Sequence, residues 1–293
     1  MLLRLAPLLF VLLWSTGFIG SKIAGEHAEP FTLLALRFAL AALLLSPLMM
    51  RGTRPSAREA LDAAVTGALI HTVYIGGVLW ALRLGMPAGV VAILVCLQPL
   101  LTSLLAAPLL GEQLSARHWL GVMVGLAGAA LVLAPKLIAA SGAVAGSADV
   151  LGGSAIVAAI AGLLGITFGT LYQKARGHSG DLAKLAFFQY LGAIAVALPL
   201  AAASETMVID WTREFVLALA WLVVVLSLGA IGLLLMMIRA SAVSRVTSLF
   251  YLVPATTALM AWALFGERLS LVQGVGVVLV MLAVAMIGVM KRG

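Results

Sequence analysis

Apolar residues in this chain do not alternate with polar ones; they run on. Continuous apolar stretches fall near 5–24, 31–50, 62–82, 87–110, 116–135, 151–172, 183–203, 215–238, 243–265 and 271–290. Each is close to the roughly 20 residues that a helix needs to cross a hydrocarbon core. Unbroken runs exclude the period-two pattern of a membrane barrel, whereas helices satisfy their own backbone polar groups in lipid. The pattern therefore predicts an all-α integral membrane fold of ten transmembrane helices, five in each half. The longest breaks, near 136–150 and 204–214, are connections rather than domains, and the first is rich in Gly, Ala and Ser.

The halves are copies. Gln98-Pro99, Gly111-Glu112-Gln113-Leu114-Ser115 and Gly121 recur about 155 residues later as Val253-Pro254, Gly266-Glu267-Arg268-Leu269-Ser270 and Gly276. Earlier in each half Gly17, Lys22, Arg37 and Pro47 fall opposite Gly169, Lys174, Gln189 and Pro199 at an offset of about 152. The first repeat is read over 1–138 and the second over 151–293. Five helices is an odd number, so the second copy enters the membrane from the other side. Two inverted five-helix repeats are a recurring construction of secondary transporters.

Composition agrees with this reading: 63% of residues are hydrophobic and 10% charged, with a mean hydropathy of +1.18. The loop charges set orientation. With a cytoplasmic N-terminus, twelve Lys and Arg residues lie on the inner side and five on the outer, Arg37 being left inside a helix. The bias predicts both termini in the cytoplasm. It also accounts for the net charge of +7, so no nucleic-acid partner is invoked. Arg4 before an apolar run resembles a signal peptide, but the run continues to Lys22 without a small-x-small cleavage site, so a retained helix is expected. The lone Cys96 reads as a small core residue.

No Gly-x-x-x-x-Gly-Lys-Ser/Thr loop, His-Glu-x-x-His pair or Gly-x-Ser-x-Gly elbow occurs. Neither ATP coupling nor any cofactor is predicted, and the chain reads as a non-enzyme. The alternative of a different class is a membrane-embedded enzyme acting on lipid or isoprenoid substrates, which would need a dense polar cluster at one interface. A third reading is a channel or a structural membrane partner.

Trp14-Ser15 with Phe18 and Lys22, then Pro30, Leu36-Arg37-Phe38, Ala81-Leu82-Arg83 and Gln98-Pro99-Leu100, running into Gly111-Glu112-Gln113-Leu114-Ser115, resemble the first repeat of the EamA family of drug/metabolite transporters. Arg239, Val253-Pro254 and Gly266-Glu267-Arg268-Leu269-Ser270 are similar to its second repeat. The resemblance implies a ten-helix bacterial inner-membrane carrier, commonly an exporter of amino acids or other small metabolites, present as a monomer or homodimer.

The repeated motif reads first as structure. Gly111 and Gly266 suit a left-handed helix end. Ser115 and Ser270 are natural N-caps, and Ser270 with Gln273 forms a capping-box pattern. For Glu112 and Glu267 a scaffold role is expected over substrate contact. Gly121, Gly125 and Gly128 form a small-residue stripe for close helix packing, with an oligomer interface as the alternative. Pro99 and Pro254, mid-helix symmetry mates, are candidate hinges; a static kink is the other reading.

Polar and aromatic residues inside the helices supply the candidate site. Trp14, Phe168 and Tyr251 are candidate cavity walls, His71 and Tyr74 share one face of the third helix, and Gln98 with Thr102 and Ser103 gives the fourth a polar face. His71 is expected to face the cavity without titrating, with a hydrogen-bonded packing histidine and a proton-sensitive role as the alternatives. Arg37 needs a partner: pairing with a loop acid such as Glu26 or Glu29 is expected, and a substrate carboxylate is the alternative. Lys22 invites the same two readings. Trp80 and Trp211 read as interfacial anchors. All eleven acidic residues map to loops or helix ends, so no carboxylate relay is apparent and coupling stays open. The mechanism predicted is a secondary or facilitative carrier with alternating access, for neutral or zwitterionic solutes such as amino acids.

Overall fold

The structure is a computed structural model that describes residues 2–50, 54–86, 88–144, 153–176, 181–265 and 270–287. Among the described residues the regular elements are all helical, apart from a single antiparallel bridge between Ala28 and Ile209. In chain order these are α1 (Leu2–Gly25), α2 (Pro30–Leu45), α3 (Ala57–Arg83) and α4 (Val90–Leu110), then α5 (Ala116–Val144) and α6 (Gly153–Ala175). They continue as α7 (Leu182–Ser204), α8 (Arg213–Ala240), α9 (Leu252–Phe265) and α10 (Leu271–Ile287). Eight of them, α1 to α8, are long and apolar enough to cross a membrane. A helical turn Val243–Thr247 and a 3-10 turn Ser248–Tyr251 lead into α9.

Local chemistry explains where these helices start and stop. Ser56 and Glu59 close a capping box at the start of α3, and Asp181 accepts the Ala183 N–H at the start of α7, 2.9 Å. Gly111 ends α4 in the left-handed conformation, φ 67°, and Ser115 accepts the His118 N–H at 3.2 Å. The Ser270–Gln273 box has both arms, at 3.0 and 3.2 Å. Gly266 and Glu267 lie outside the described residues, as do Arg51, His178, Lys291, Arg292 and the 145–152 connection. Both candidate hinge prolines follow breaks in the α-helix: α4 is interrupted at Leu97, and Pro254 lies just after the 3-10 turn. A Pro nitrogen near the start of a helix forgoes no bond the helix would make.

Packing is tightest where glycine removes a side chain. The stripe of Gly121, Gly125 and Gly128 is used inside the molecule. A Cβ on Gly128 would sit 2.9 Å from the Gly276 carbonyl oxygen of α10, and one on Gly125 would sit 2.6 Å from the Tyr251 ring. Residues α2 and α3 both pack on α7, α3 also packs on α6, and α1 lies against α8 and α9. Two nine-residue π-helical stretches, Ala68–Gly76 in α3 and Leu222–Ala230 in α8, occupy corresponding places in the two halves. Such widened turns change which carbonyls are free and often accompany functional sites.

Candidate functional site

A cavity of about 600 Å³ opens where α1 ends, α2 begins and α3 ends. Trp14 and Gly17 of α1, Leu33 and Arg37 of α2, and Tyr74, Ile75 and Val78 of α3 form its walls, with Leu226 of α8. Lys22, Glu26, Glu29 and Arg83 lie nearer its mouth. Trp14 is fixed from behind by an aromatic cluster, its ring centroid 5.1 Å from Phe10 and 5.3 Å from Phe250.

Arg37 corrects an expectation. It does not pair with Glu26 or Glu29: among the described residues its one hydrogen bond runs from Nε to Ser227 Oγ, 2.9 Å, and its guanidinium lies over the Phe38 ring at 5.3 Å. Ser227 can accept this bond because its own hydroxyl proton goes to the Leu222 carbonyl, five residues back in the π-helical stretch, 3.1 Å. The nearby acids are engaged elsewhere. Glu29 pairs with Arg83 and accepts the Thr206 backbone N–H at 2.5 Å. Glu205 accepts the Phe31 and Thr32 N–H groups at 2.8 and 2.7 Å, with Arg83 Nη1 at 3.8 Å.

These contacts join α2, α3 and the α7–α8 connection at the cavity mouth, and acidification is expected to loosen them. Partial burial works against the Glu29 charge, but the Thr206 and Arg83 hydrogen bonds and the Arg83 charge outweigh it and hold the carboxyl below its ordinary 4.5. Such a group stabilises the folded mouth fully above that value and progressively less as pH falls through the lowered one. Thermal melts from about pH 7 to about pH 3.5 are expected to fall more steeply below the ordinary carboxylate range in wild type than in Glu29→Gln. Parallel curves would remove Glu29 from this role.

At the opposite end of the bundle a cleft of about 400 Å³ lies between α3, α6, α7 and α8. Its lining repeats that of the cavity. Gln173, Lys174, Leu182, Leu185 and Gln189 stand where Ser21, Lys22, Pro30, Leu33 and Arg37 stand in the first half, and Leu235, Ile238 and Arg239 answer Leu79, Leu82 and Arg83. Between the two spaces is a buried partition. The Phe38 and Tyr190 rings stack at 5.5 Å and 6°, His71 lies 5.2 Å from both, and His71 Nε2 is 3.2 Å from Gln189 Oε1. Tyr190 Oη donates to the Ser227 carbonyl.

Both stretches that the family model matches lie in this framework, residues 3–134 and 153–289, and that model is the EamA-like transporter family. The chain belongs to the EamA-like transporter family. It is 28% identical over 291 residues to the Escherichia coli K12 protein called "Uncharacterized inner membrane transporter YedA", covering 98% of this chain and 91% of that one. It is 27% identical to the "Probable amino-acid metabolite efflux pump" of the same organism, covering 94% and 90%. Over 134 residues, 43% of each chain, it is 31% identical to the "Probable terminal-alkyne amino-acid exporter" of Streptantibioticus cattleyicolor. A protein of known crystal structure shares the fold at a TM-score of 0.77 and 21% identity, with 99% of both chains covered.

For this EamA chain, the structure gathers Trp14, Tyr74, Lys22 and Arg37 around one cavity and leaves other candidates outside it. His71 lies in the partition rather than on the cavity wall. Gln98 is buried and bonds Thr102 at 3.3 Å, and Tyr251 is buried against Gly125 of α5, in a cluster with Cys96 and Val280. Phe168 is 44% exposed on the outer surface of the bundle, because its neighbours Gly165 and Gly169 turn the inner face of α6 against α3. Glu112 has the expected scaffold role: its carboxylate accepts the Val243 and Ser244 N–H groups at 2.6 and 3.3 Å, capping the helical turn before α9. Ser227 and Glu205 went unrecognised in the sequence. A lone serine in the very apolar α8 was the available signal for the first.

Proposed function

We propose that this chain is a secondary or facilitative carrier, not an enzyme, that exports amino acids or related small metabolites across a bacterial inner membrane by alternating access. The observation that carries the reading is the pair of clefts lined by repeat-equivalent residues, entering from opposite ends of the bundle and stopping at one partition. Inverted repeats that exchange conformations would open one cleft as they close the other. In this reading α9, with the turns before it, and α10 are the ninth and tenth crossings, which returns both termini to the cytoplasm and makes the larger cavity the outward one. The amino-acid relatives supply the solute class.

Trp14 and Tyr74 would hold the body of the solute, and His71 with Phe38 and Tyr190 would separate the compartments. The breaks at Leu97 and at Ser248–Tyr251, beside Pro99 and Pro254, are the hinges proposed. Counterflow of radiolabelled amino acids in proteoliposomes tests the reading. Saturable, competable flux is expected, reduced about tenfold or more by Tyr74→Ala or Trp14→Ala. Absence of saturable flux across a broad amino-acid and metabolite panel would overturn the carrier.

A further inference from the structure

We propose that the outward cavity takes its solute by a carboxylate at Arg37 and makes no demand for an α-ammonium group. Monocarboxylic acids with an apolar or aromatic body, such as 2-oxo acids, are then ligands alongside amino acids. The inference rests on the reading of this cavity as a transport site and names what the site recognises.

Arg37 is 5% exposed, lines the cavity, lies over the Phe38 ring, and uses only its Nε for a hydrogen bond to the protein, at Ser227 Oγ. The nitrogens at the tip of the fork have no protein hydrogen-bond partner among the described residues, and no carboxylate there comes within ion-pair distance. A buried guanidinium without a counter-charge is costly, and its planar fork matches a carboxylate with two parallel hydrogen bonds. The surrounding walls are Trp14, Leu33, Tyr74, Ile75 and Leu226, which suit an apolar body.

No acid is ion-paired with Arg37 among the described residues, so no carboxylate is built in directly beside it for an ammonium group. The acids lining the cavity are Glu26 and Glu29. Glu29 precedes Arg37 by about two turns of α2, about 12 Å along the axis, and is bonded to Arg83 and Thr206. The nitrogen of an α-amino acid lies only about 2.5 Å from its carboxylate carbon, and with Glu29 already held by Arg83 and Thr206 the cavity offers it no free carboxylate from α2 while its own carboxylate sits at Arg37. The Trp14 and Tyr74 ring faces tolerate a cation without requiring one. The repeat-equivalent of Arg37 in the inner cleft is the neutral Gln189, so the inner cleft has no cation at that position.

The test uses the full-length protein in detergent, with phenylpyruvate, phenylalanine, phenylalaninamide and phenethylamine as probes in thermal-shift titrations, and the same compounds as competitors in counterflow. Phenylpyruvate and phenylalanine are expected to stabilise wild type with affinities within about tenfold of each other, and the amide and amine to bind at least about tenfold more weakly. Arg37→Gln is expected to cost the acids about ten- to a hundredfold in affinity, with Arg37→Lys between. Equal binding of amide and acid, no binding of either acid, or unchanged acid affinity in Arg37→Gln would each overturn the proposal. The wild-type probe comparison decides it even if Arg37→Gln does not fold. Acid binding without counterflow would sink the carrier and leave the site; counterflow competed equally by amide and acid would do the reverse.

Discussion

Gly67→Val and Gly192→Val are each expected to prevent recovery of folded protein from membranes. At this crossing of α3 and α7 the backbones touch: a Cβ on Gly67 would lie 1.9 Å from the Gln189 carbonyl oxygen, and one on Gly192 would lie 2.0 Å from that of Ala64. Carbon contacts settle at about 3.5–4.0 Å, and a carbonyl inside a helix cannot swing away as a side-chain tip can. The helices would have to separate, taking with them the Thr72 hydroxyl bond to the Ala193 carbonyl, 2.7 Å. Overpacking against side chains costs about 1–3 kcal/mol; against two backbones the cost is expected at or above about 3 kcal/mol, among the large single-residue effects. Gly232→Ala and Gly274→Ala are the controls, since a Cβ there meets nothing within 4 Å, and they are expected to be neutral or stabilising by up to about 1 kcal/mol. Fluorescence-detected melting in detergent reads all four. A Gly67→Val protein that melts with wild type would mean the crossing is not this close.

Glu205→Ala is expected to cost about 2–4 kcal/mol, the second largest effect. The Glu205 side chain is 0% exposed and accepts three hydrogen bonds at the start of α2, from the Phe31 and Thr32 N–H groups and from the Thr32 hydroxyl at 2.7 Å. Those amides have no partner within their own helix, and the helix dipole favours negative charge there. Truncation strands both amides and leaves the Thr32 hydroxyl without its acceptor, whereas Glu205→Gln keeps one acceptor oxygen and is expected to lose about half as much. Because α2 carries Arg37 into the cavity, Glu205→Ala should also weaken solute binding, and the melting temperature and probe affinity should fall together. Glu112→Ala, which uncaps the turn before α9 at the other end of the bundle, is expected to lower the melting temperature similarly while leaving affinity at the Arg37 cavity nearer wild type.

Features written within a few residues were legible. Gly111 turns left-handed, Ser115 caps α5, and Ser270 with Gln273 closes its box, because each depends on a side chain and the backbone beside it. The glycine stripe of α5 was readable for the same reason, although its partner Gly276 came from α10. Arg37 was legible as a residue needing an anion and misread in its choice. Glu29 lies close in sequence, but Arg83, brought from the end of α3, claims both Glu29 and Glu205. Phe168 was misplaced because α6 is apolar on all sides, so periodicity carries no information on its inward face.

Apolar length alone determined the all-helical membrane character, because the cost of an unpaired backbone in hydrocarbon falls on every segment separately. The duplication was equally plain, since copies preserve spacing even where they change residues. What faces the cavity was settled only by the tertiary structure. The backbone contact at Gly67 and Gly192, the widened turns that carry Tyr74 and Ser227, and the competition of one distant arginine for two glutamates together leave Arg37 without a counter-charge among the described residues. Each of these joins residues far apart in the chain, and the electrostatics of a buried group depend on such neighbours more than on its own segment.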